Sequence, residues 1–347
     1  MLMVTRRRLL TLTIAALGVG GFFVLGLPLP FLFGPMAACL VAALAGARLQ
    51  GLGRIGVGAR AILGVAIGAS ITPELLGRIP AMAASIALMP LYIIAIGAIG
   101  VPFFRRVCGF DRVTAYYAAM PGGLQDMVIF GEEAGGDVRA LSLIHATRVL
   151  ILITLAPVLM TGIYEVALTR PMGAPAASLP PGEMAIMIVV GVAGWLGGER
   201  IGLFGASILG PLILTAALSL GGVIHERPPA EAILVAQFFI GMTIGVFYVG
   251  VTLRELRVDV LSGVAFAVLL AGLAAGFTAV VTLMGLAPPV EAFLSYAPGG
   301  QAEMTVLAIV AGADLGFVIV HHLTRIIVVI TGAPLVARLL RGKGEDL

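Results

Sequence analysis

The sequence MPGGLQDM at residues 120–127 returns as APGGQAEM at residues 297–304, so the chain carries one polar motif twice. Each copy combines a helix-breaking proline, two glycines, an amide and one carboxylate inside an otherwise apolar run. Polar groups repeated within apolar sequence are typical of a transport pathway through a membrane. The candidate residues of the two copies are Gly122, Gly123, Gln125, Asp126, Gly299, Gly300, Gln301 and Glu303.

A histidine and an arginine follow each copy at a fixed distance. His145 and Arg148 follow the first copy, and His322 and Arg325 follow the second. The later residues lie 177 positions after the earlier ones (322 − 145 and 325 − 148), as do the two carboxylates (303 − 126). This shared spacing of 177 residues predicts an internal duplication, with one membrane repeat at 1–168 and the other at 183–347. The linker 169–182, rich in proline and alanine, separates them.

The composition indicates a membrane protein. Hydrophobic residues make up 60% of the 347 residues and charged residues only 11%, and the mean hydropathy is +1.12. Soluble proteins carry about 25% charged residues. The apolar run after Thr5 follows three arginines and has no signal-peptide cleavage site, so we predict a first membrane helix there. Two isolated cysteines are too few for a disulfide framework or a cysteine-rich metal site.

Positive charges indicate how the two halves are oriented. Arg105, Arg106 and Arg112 surround one loop of the first half, whereas the equivalent loop at 286–289 has no positive charge. The positive-inside rule therefore assigns opposite topologies to the halves, which requires an odd number of crossings in each. We predict an all-α polytopic protein with two inverted-topology repeats, about 10 transmembrane helices and two re-entrant Pro-Gly-Gly segments. Both termini would lie in the cytoplasm, with the chain in the bacterial inner membrane. Twelve crossings with parallel repeats is the alternative.

The duplicated charges allow a structural and a functional interpretation. Each charge near the bilayer centre costs about 2.5–3.5 kcal/mol, so all four must be paired or hydrated. In the structural interpretation, Asp126 pairs with Arg148 and Glu303 with Arg325, pinning the re-entrant loops. In the functional one, the arginines attract an anion and the carboxylates bind H⁺ or Na⁺ at a midplane site. The histidines could carry protons or pack as neutral side chains against backbone carbonyls.

The doubled Pro-Gly-Gly motif and the two His-x-x-Arg pairs resemble the AbrB family of bacterial membrane proteins, which is built on an internal duplication. The resemblance covers essentially the whole chain. Members of that family are labelled regulators of gene expression or ammonia monooxygenases. The resemblance therefore implies two alternatives, a membrane-embedded metal-dependent oxidoreductase and a membrane component that regulates gene expression.

The residues themselves favour transport over redox chemistry. A copper or iron site needs several converging His or carboxylate ligands, but the chain has only four histidines. His145 and His322 each have an arginine three positions later, which would repel a cation. We predict a secondary transporter of a small solute, an anion in preference, coupled to H⁺ or Na⁺, with no enzymatic activity, cofactor or metal. The expected partners are the substrate and the lipid bilayer, without nucleic acid. Self-association into a homo-oligomer is left open.

Overall fold

The computed structural model describes residues 5–168, 170–203 and 205–342, with side chains as far as residue 337. These residues form helices joined by turns, without a β-strand, so the all-helical class is as predicted. The first half contains α1 (Arg6–Val24), α2 (Pro30–Leu44), α3 (Arg54–Gly68), α4 (Pro73–Pro102), a π-helix (Phe103–Val107), α5 (Arg112–Ala119), α6 (Leu124–Glu133) and α7 (Val138–Gly162). A short 3₁₀ helix (Ala176–Ser178) lies between the halves. The second half contains α8 (Pro181–Arg200), α9 (Ala206–Leu220), α10 (Ala230–Val246), α11 (Leu253–Glu255), a π-helix (Leu256–Val260), α12 (Leu261–Leu283), α13 (Pro289–Tyr296), α14 (Gln301–Ala311) and α15 (Leu315–Gly342).

Six helical segments among the described residues are long and apolar enough to cross a bilayer. They are Arg6–Val24, Pro73–Val107, Val138–Gly162, Pro181–Arg200, Leu253–Leu283 and Leu315–Ala337. Four further apolar helices are shorter, namely Pro30–Leu44, Ala206–Leu220, Ala230–Val246 and Gln301–Ala311. The fold is therefore of the membrane type.

Helices around the two motifs begin at repeating positions. The starts of α13, α14 and α15 each lie 177 residues after those of α5, α6 and α7 (289 − 112, 301 − 124 and 315 − 138). Asp137 caps α7 by accepting from two backbone N–H groups, and its own N–H donates to the Thr114 hydroxyl on α5 at 2.8 Å. Asp314 occupies the matching place before α15, where its N–H donates to Glu291 on α13 at 3.2 Å. Equivalent side chains thus fix the start of the long helix in each half.

The described chain packs as two compact units, each built from both sequence halves. Unit 1 comprises Met1–Gly77, Ala167–Val251 and Ile309–Ala311, and unit 2 comprises Arg78–Val166, Thr252–Ala308 and Gly312–Leu347. In unit 1, glycines allow helices to pack at backbone distance. A Cβ on Gly18 of α1 would overlap the carbonyl of Gly34 on α2. A Cβ on Gly194 of α8 would lie 2.6 Å from the nitrogen of Pro211 on α9. Such contacts are the small-residue packing expected of membrane helices.

Unit 2 holds both polar motifs beside an aromatic core. Phe266 of α12 meets Phe104 edge to face at 4.7 Å between ring centres. Tyr92 of α4 packs in the same way against Tyr296 of α13, at 5.4 Å. All four rings are almost completely buried. These contacts join the first π-helix to α12, and α4 to α13, the short helix that precedes the second Pro-Gly-Gly segment.

Candidate functional site

Each Pro-Gly-Gly motif interrupts a helix inside unit 2. The helix α5 ends at Ala119 and α6 begins at Leu124, and the same interruption separates α13 from α14. Met120 and Ala297, the first residues after α5 and α13, have extended backbones with ψ angles of 131° and 118°. A residue in this conformation cannot continue the helical hydrogen bonds, so carbonyls at the end of the helix need other donors.

Arginine side chains supply those donors. Arg148 donates from Nη1 to the carbonyl of Met120 at 3.1 Å and from Nη2 to that of Gly122 at 2.7 Å. Arg325 repeats this geometry in the second half, as Nη1 donates to Ala297 at 2.9 Å and Nη2 to Gly299 at 3.0 Å. Each guanidinium therefore ties the long helix to the helix break of its own half.

The two histidines bind one turn further back along the short helices. His145 Nε2 donates to the carbonyl of Tyr117 at 3.1 Å, and His322 Nε2 donates to that of Leu294 at 2.8 Å. A carbonyl only accepts, so both rings carry a proton on Nε2. The Nδ1 atom of His322 lies 3.3 Å from Nη2 of Arg325, which only donates. That ring is therefore neutral, in the packing arrangement that the sequence allowed as one alternative.

The two carboxylates begin the helices after the breaks. Asp126 and Glu303 occupy the third positions of α6 and α14, one turn from Gly123 and Gly300. A Cβ on either glycine would overlap a carboxylate oxygen of that acidic residue. Glycine thus makes room for a carboxylate at the helix N-terminus, where the helix dipole favours negative charge.

The two copies differ in exposure. Gln125 is exposed and Asp126 is half-buried, whereas Gln301 and Glu303 have exposed fractions of 8% and 9%. The glutamines also take different helix positions, since Gln125 is the second residue of α6 and Gln301 the first of α14. The duplicated motif is therefore not used identically in the two halves.

The two arginines lie in electrostatic reach of each other. Arg148 interacts with the charges of Arg325 and Glu303 and with the Tyr92 side chain, and Arg325 also interacts with Tyr92. The exposed fractions of Arg148 and Arg325 are only 2% and 3%. Unit 2 thus brings together the Arg residues of both halves and the second carboxylate.

Tyr92 is a member of this set that the sequence reasoning missed. Its side chain is completely buried, and its hydroxyl has no hydrogen-bond partner in the described structure. The Nε atoms of Arg148 and Arg325 and the amide nitrogen of Gln301 are also buried without partners. The available signal was a tyrosine in the middle of the long apolar helix α4, where a polar group is costly.

Across the described ranges, no three His, Cys, Asp or Glu side chains come together as a group that could hold a metal ion. His321, which is not repeated in the first half, binds the Ser85 hydroxyl at 2.9 Å and the carbonyl of Phe317 at 2.8 Å.

Comparison with known proteins confirms the family resemblance over most of the chain. The family model described as "Transition state regulatory protein AbrB" matches residues 31–341. A protein of Escherichia coli (strain K12), named "Putative regulator AbrB", is 26% identical over 326 residues, covering 92% of each chain. The "Uncharacterized protein YhjN" of Bacillus subtilis (strain 168) is 26% identical over 299 residues, covering 80% of this chain and 77% of that protein.

Proposed function

This chain belongs to the AbrB family, and from its paired buried arginines we propose that it is a secondary transporter of a small anion. The observation that carries the proposal is the convergence of Arg148 and Arg325 within a single unit, each bound to the helix break of its own half. Two like charges buried together repel, so an arrangement that serves packing alone would avoid it. An anion between them would turn this repulsion into attraction.

The proposal includes an arrangement in the bilayer. The two halves are inverted repeats, each crossing the inner membrane an odd number of times, and each Pro-Gly-Gly segment is re-entrant. Supporting this arrangement, carbonyls at a helix break are not tolerated against lipid and need a partner within the protein. The guanidinium groups provide that partner in both halves. Broken helices near the midplane are the usual substrate sites of transporters built from inverted repeats.

Coupling to H⁺ or Na⁺ is assigned to the carboxylates. Asp126 and Glu303 lie directly after the breaks, and Glu303 is in electrostatic reach of Arg148. Protonation or cation binding at Glu303 would therefore change the field that an anion meets at Arg148. Asp126 is more exposed than Glu303, so the two carboxylates have different surroundings.

Regulation of gene expression is the second candidate, because the family description and the E. coli relative both carry the word regulator. Transport can itself have a regulatory effect, since a change in the cytoplasmic level of a solute alters genes that respond to it. A metal-dependent oxidoreductase remains the alternative that the family resemblance implies.

The decisive experiment measures flux in proteoliposomes. Purified protein is reconstituted, and uptake of radiolabelled acetate, succinate and chloride is followed under an imposed pH or Na⁺ gradient. We expect the wild type to exceed protein-free liposomes for at least one anion, and Arg325→Gln to lose that uptake. Arg54→Gln is the matched control, because Arg54 is exposed and pairs with Glu199 in unit 1.

Two results would overturn the proposal. One is wild-type protein that moves none of the three anions under either gradient. The other is a folded Arg325→Gln protein that transports as the wild type does.

A further inference from the structure

Buried hydrogen-bond donors without a protein partner, at and beside the two arginines, indicate the chemical class of the anion. This inference rests on the proposed transport function. Tyr92 OH, Arg148 Nε and Arg325 Nε are all buried and lack a protein partner. A donor that is buried without an acceptor destabilises the folded state, and three such donors lie in one neighbourhood here. A ligand that accepts from all three would remove that destabilisation.

All three groups can donate and lie near one another. Tyr92 interacts electrostatically with both arginines, which places the three donors in one neighbourhood of unit 2. Guanidinium nitrogens only donate, and their Nη atoms are already engaged with backbone carbonyls. A carboxylate accepts at two oxygens with about four lone-pair sites, which matches several directed donors better than a halide ion does.

The formal charge limits the ligand further. Arg148 and Arg325 are positive, and the carboxylate in electrostatic reach of Arg148 is that of Glu303. The bound histidine His322 is neutral, as its hydrogen bonds require. Two positive charges and one negative charge leave one net positive charge, which a single monoanion neutralises.

We propose that Tyr92 is a substrate-binding residue and that the transported ligand is a small monocarboxylate held between Tyr92 OH and the Nε atoms of Arg148 and Arg325. The hydroxyl donates to a carboxylate oxygen and thereby selects oxyanions. While Glu303 is ionised, the second charge of a dicarboxylate would remain unneutralised in a buried site, which favours a monocarboxylate.

Tyr92→Phe tests the proposal, because the variant separates ligand binding from folding. It removes an unbonded hydroxyl, so the ligand-free variant should unfold at or above the wild-type temperature. Its affinity for acetate should fall roughly 10–100-fold, the size of one hydrogen bond to a charged group. Both quantities come from thermal unfolding in detergent micelles over a titration of sodium acetate, with sodium chloride and sodium succinate as parallel titrations.

Tyr296→Phe is the matched control. Tyr296 packs against Tyr92, but its hydroxyl already donates to the carbonyl of Ser85 at 2.5 Å. This variant should therefore be less stable than the wild type and should keep its acetate affinity within roughly threefold, because no ligand contact is lost.

The outcomes separate this inference from the transport proposal. Wild-type protein that binds acetate, together with an unchanged affinity in Tyr92→Phe, overturns the role of Tyr92 and leaves transport standing. Stabilisation by succinate or chloride without stabilisation by acetate overturns the monocarboxylate assignment alone. Failure of all three salts to stabilise the wild type, together with absent flux, overturns both proposals.

Discussion

Replacing each buried arginine by lysine should show whether the guanidinium groups hold the helix breaks. Lysine keeps the positive charge but presents a single ammonium group, whereas Arg148 uses two nitrogens for two carbonyls, at 3.1 and 2.7 Å. We expect Arg148→Lys to satisfy one of these carbonyls. The loss of one hydrogen bond from a charged donor corresponds to about 1.5–3 kcal/mol of unfolding free energy. Arg325→Lys should lose a similar amount, because its contacts are equivalent.

Unfolding by SDS in mixed micelles, followed by far-ultraviolet circular dichroism, provides the measurement. Arg54→Lys serves as the control, because that side chain is largely exposed and its ion pair with Glu199 lies at the surface of unit 1. The control should change the unfolding free energy by no more than about 0.5 kcal/mol. If the two buried variants are as stable as this control, the guanidinium groups do not fasten the breaks and the reasoning fails.

Three further predictions concern packing, coupling and metal content. Gly194→Ala should destabilise the protein, because its Cβ would lie 2.6 Å from a backbone nitrogen. Gly197→Ala on the same helix has open space around it and should raise the unfolding free energy by about 0.5–1 kcal/mol in the same assay. Glu303→Gln should remain folded by size-exclusion chromatography, but its anion flux should no longer depend on the pH or Na⁺ gradient. Unchanged coupling would show that this carboxylate is not the coupling site. Elemental analysis of purified protein should find no stoichiometric copper or iron, and either metal, lost on substituting His145, would favour the oxidoreductase.

The helix breaks were predictable because they depend on local chemistry. Pro121 has no N–H and the following glycines are poor helix formers, so MPGGLQDM had to separate two helices wherever it lay. The class of the protein was equally accessible, since apolar runs of bilayer length are properties of the sequence alone. Repeated spacing also identified His145 and Arg148 as residues that work with the first motif.

The partners of those residues were not predictable in the same way. A buried arginine needs hydrogen-bond acceptors. The sequence does not show whether a carboxylate such as Asp126 or a backbone carbonyl such as that of Gly122 supplies them. The choice depends on how α7 lies against the end of α5, which is a tertiary property. Tyr92 was missed for a related reason, because a lone tyrosine in an apolar helix becomes informative only when its hydroxyl is seen to lack a partner.

The compact units show a second limit of sequence reasoning. The linker at 169–182 marks the boundary between repeats, and the repeats remain a prediction. The packing units, however, combine α4–α7 with α11–α15 and α1–α3 with α8–α10. The order of the helices in the sequence does not reveal that each unit combines helices of both halves, because each helix can bury its apolar surface against either half.

Cysteine labelling in intact cells tests the central claim that the two breaks belong to oppositely oriented halves. In a Cys39→Ala, Cys108→Ala background, Arg106→Cys and Met284→Cys place single exposed thiols near the ends of equivalent segments. A membrane-impermeant maleimide should label the thiol at position 284 in intact cells and the thiol at position 106 only after the cells are opened. Equal labelling of the two thiols in intact cells would contradict the inverted arrangement and favour twelve crossings with parallel repeats.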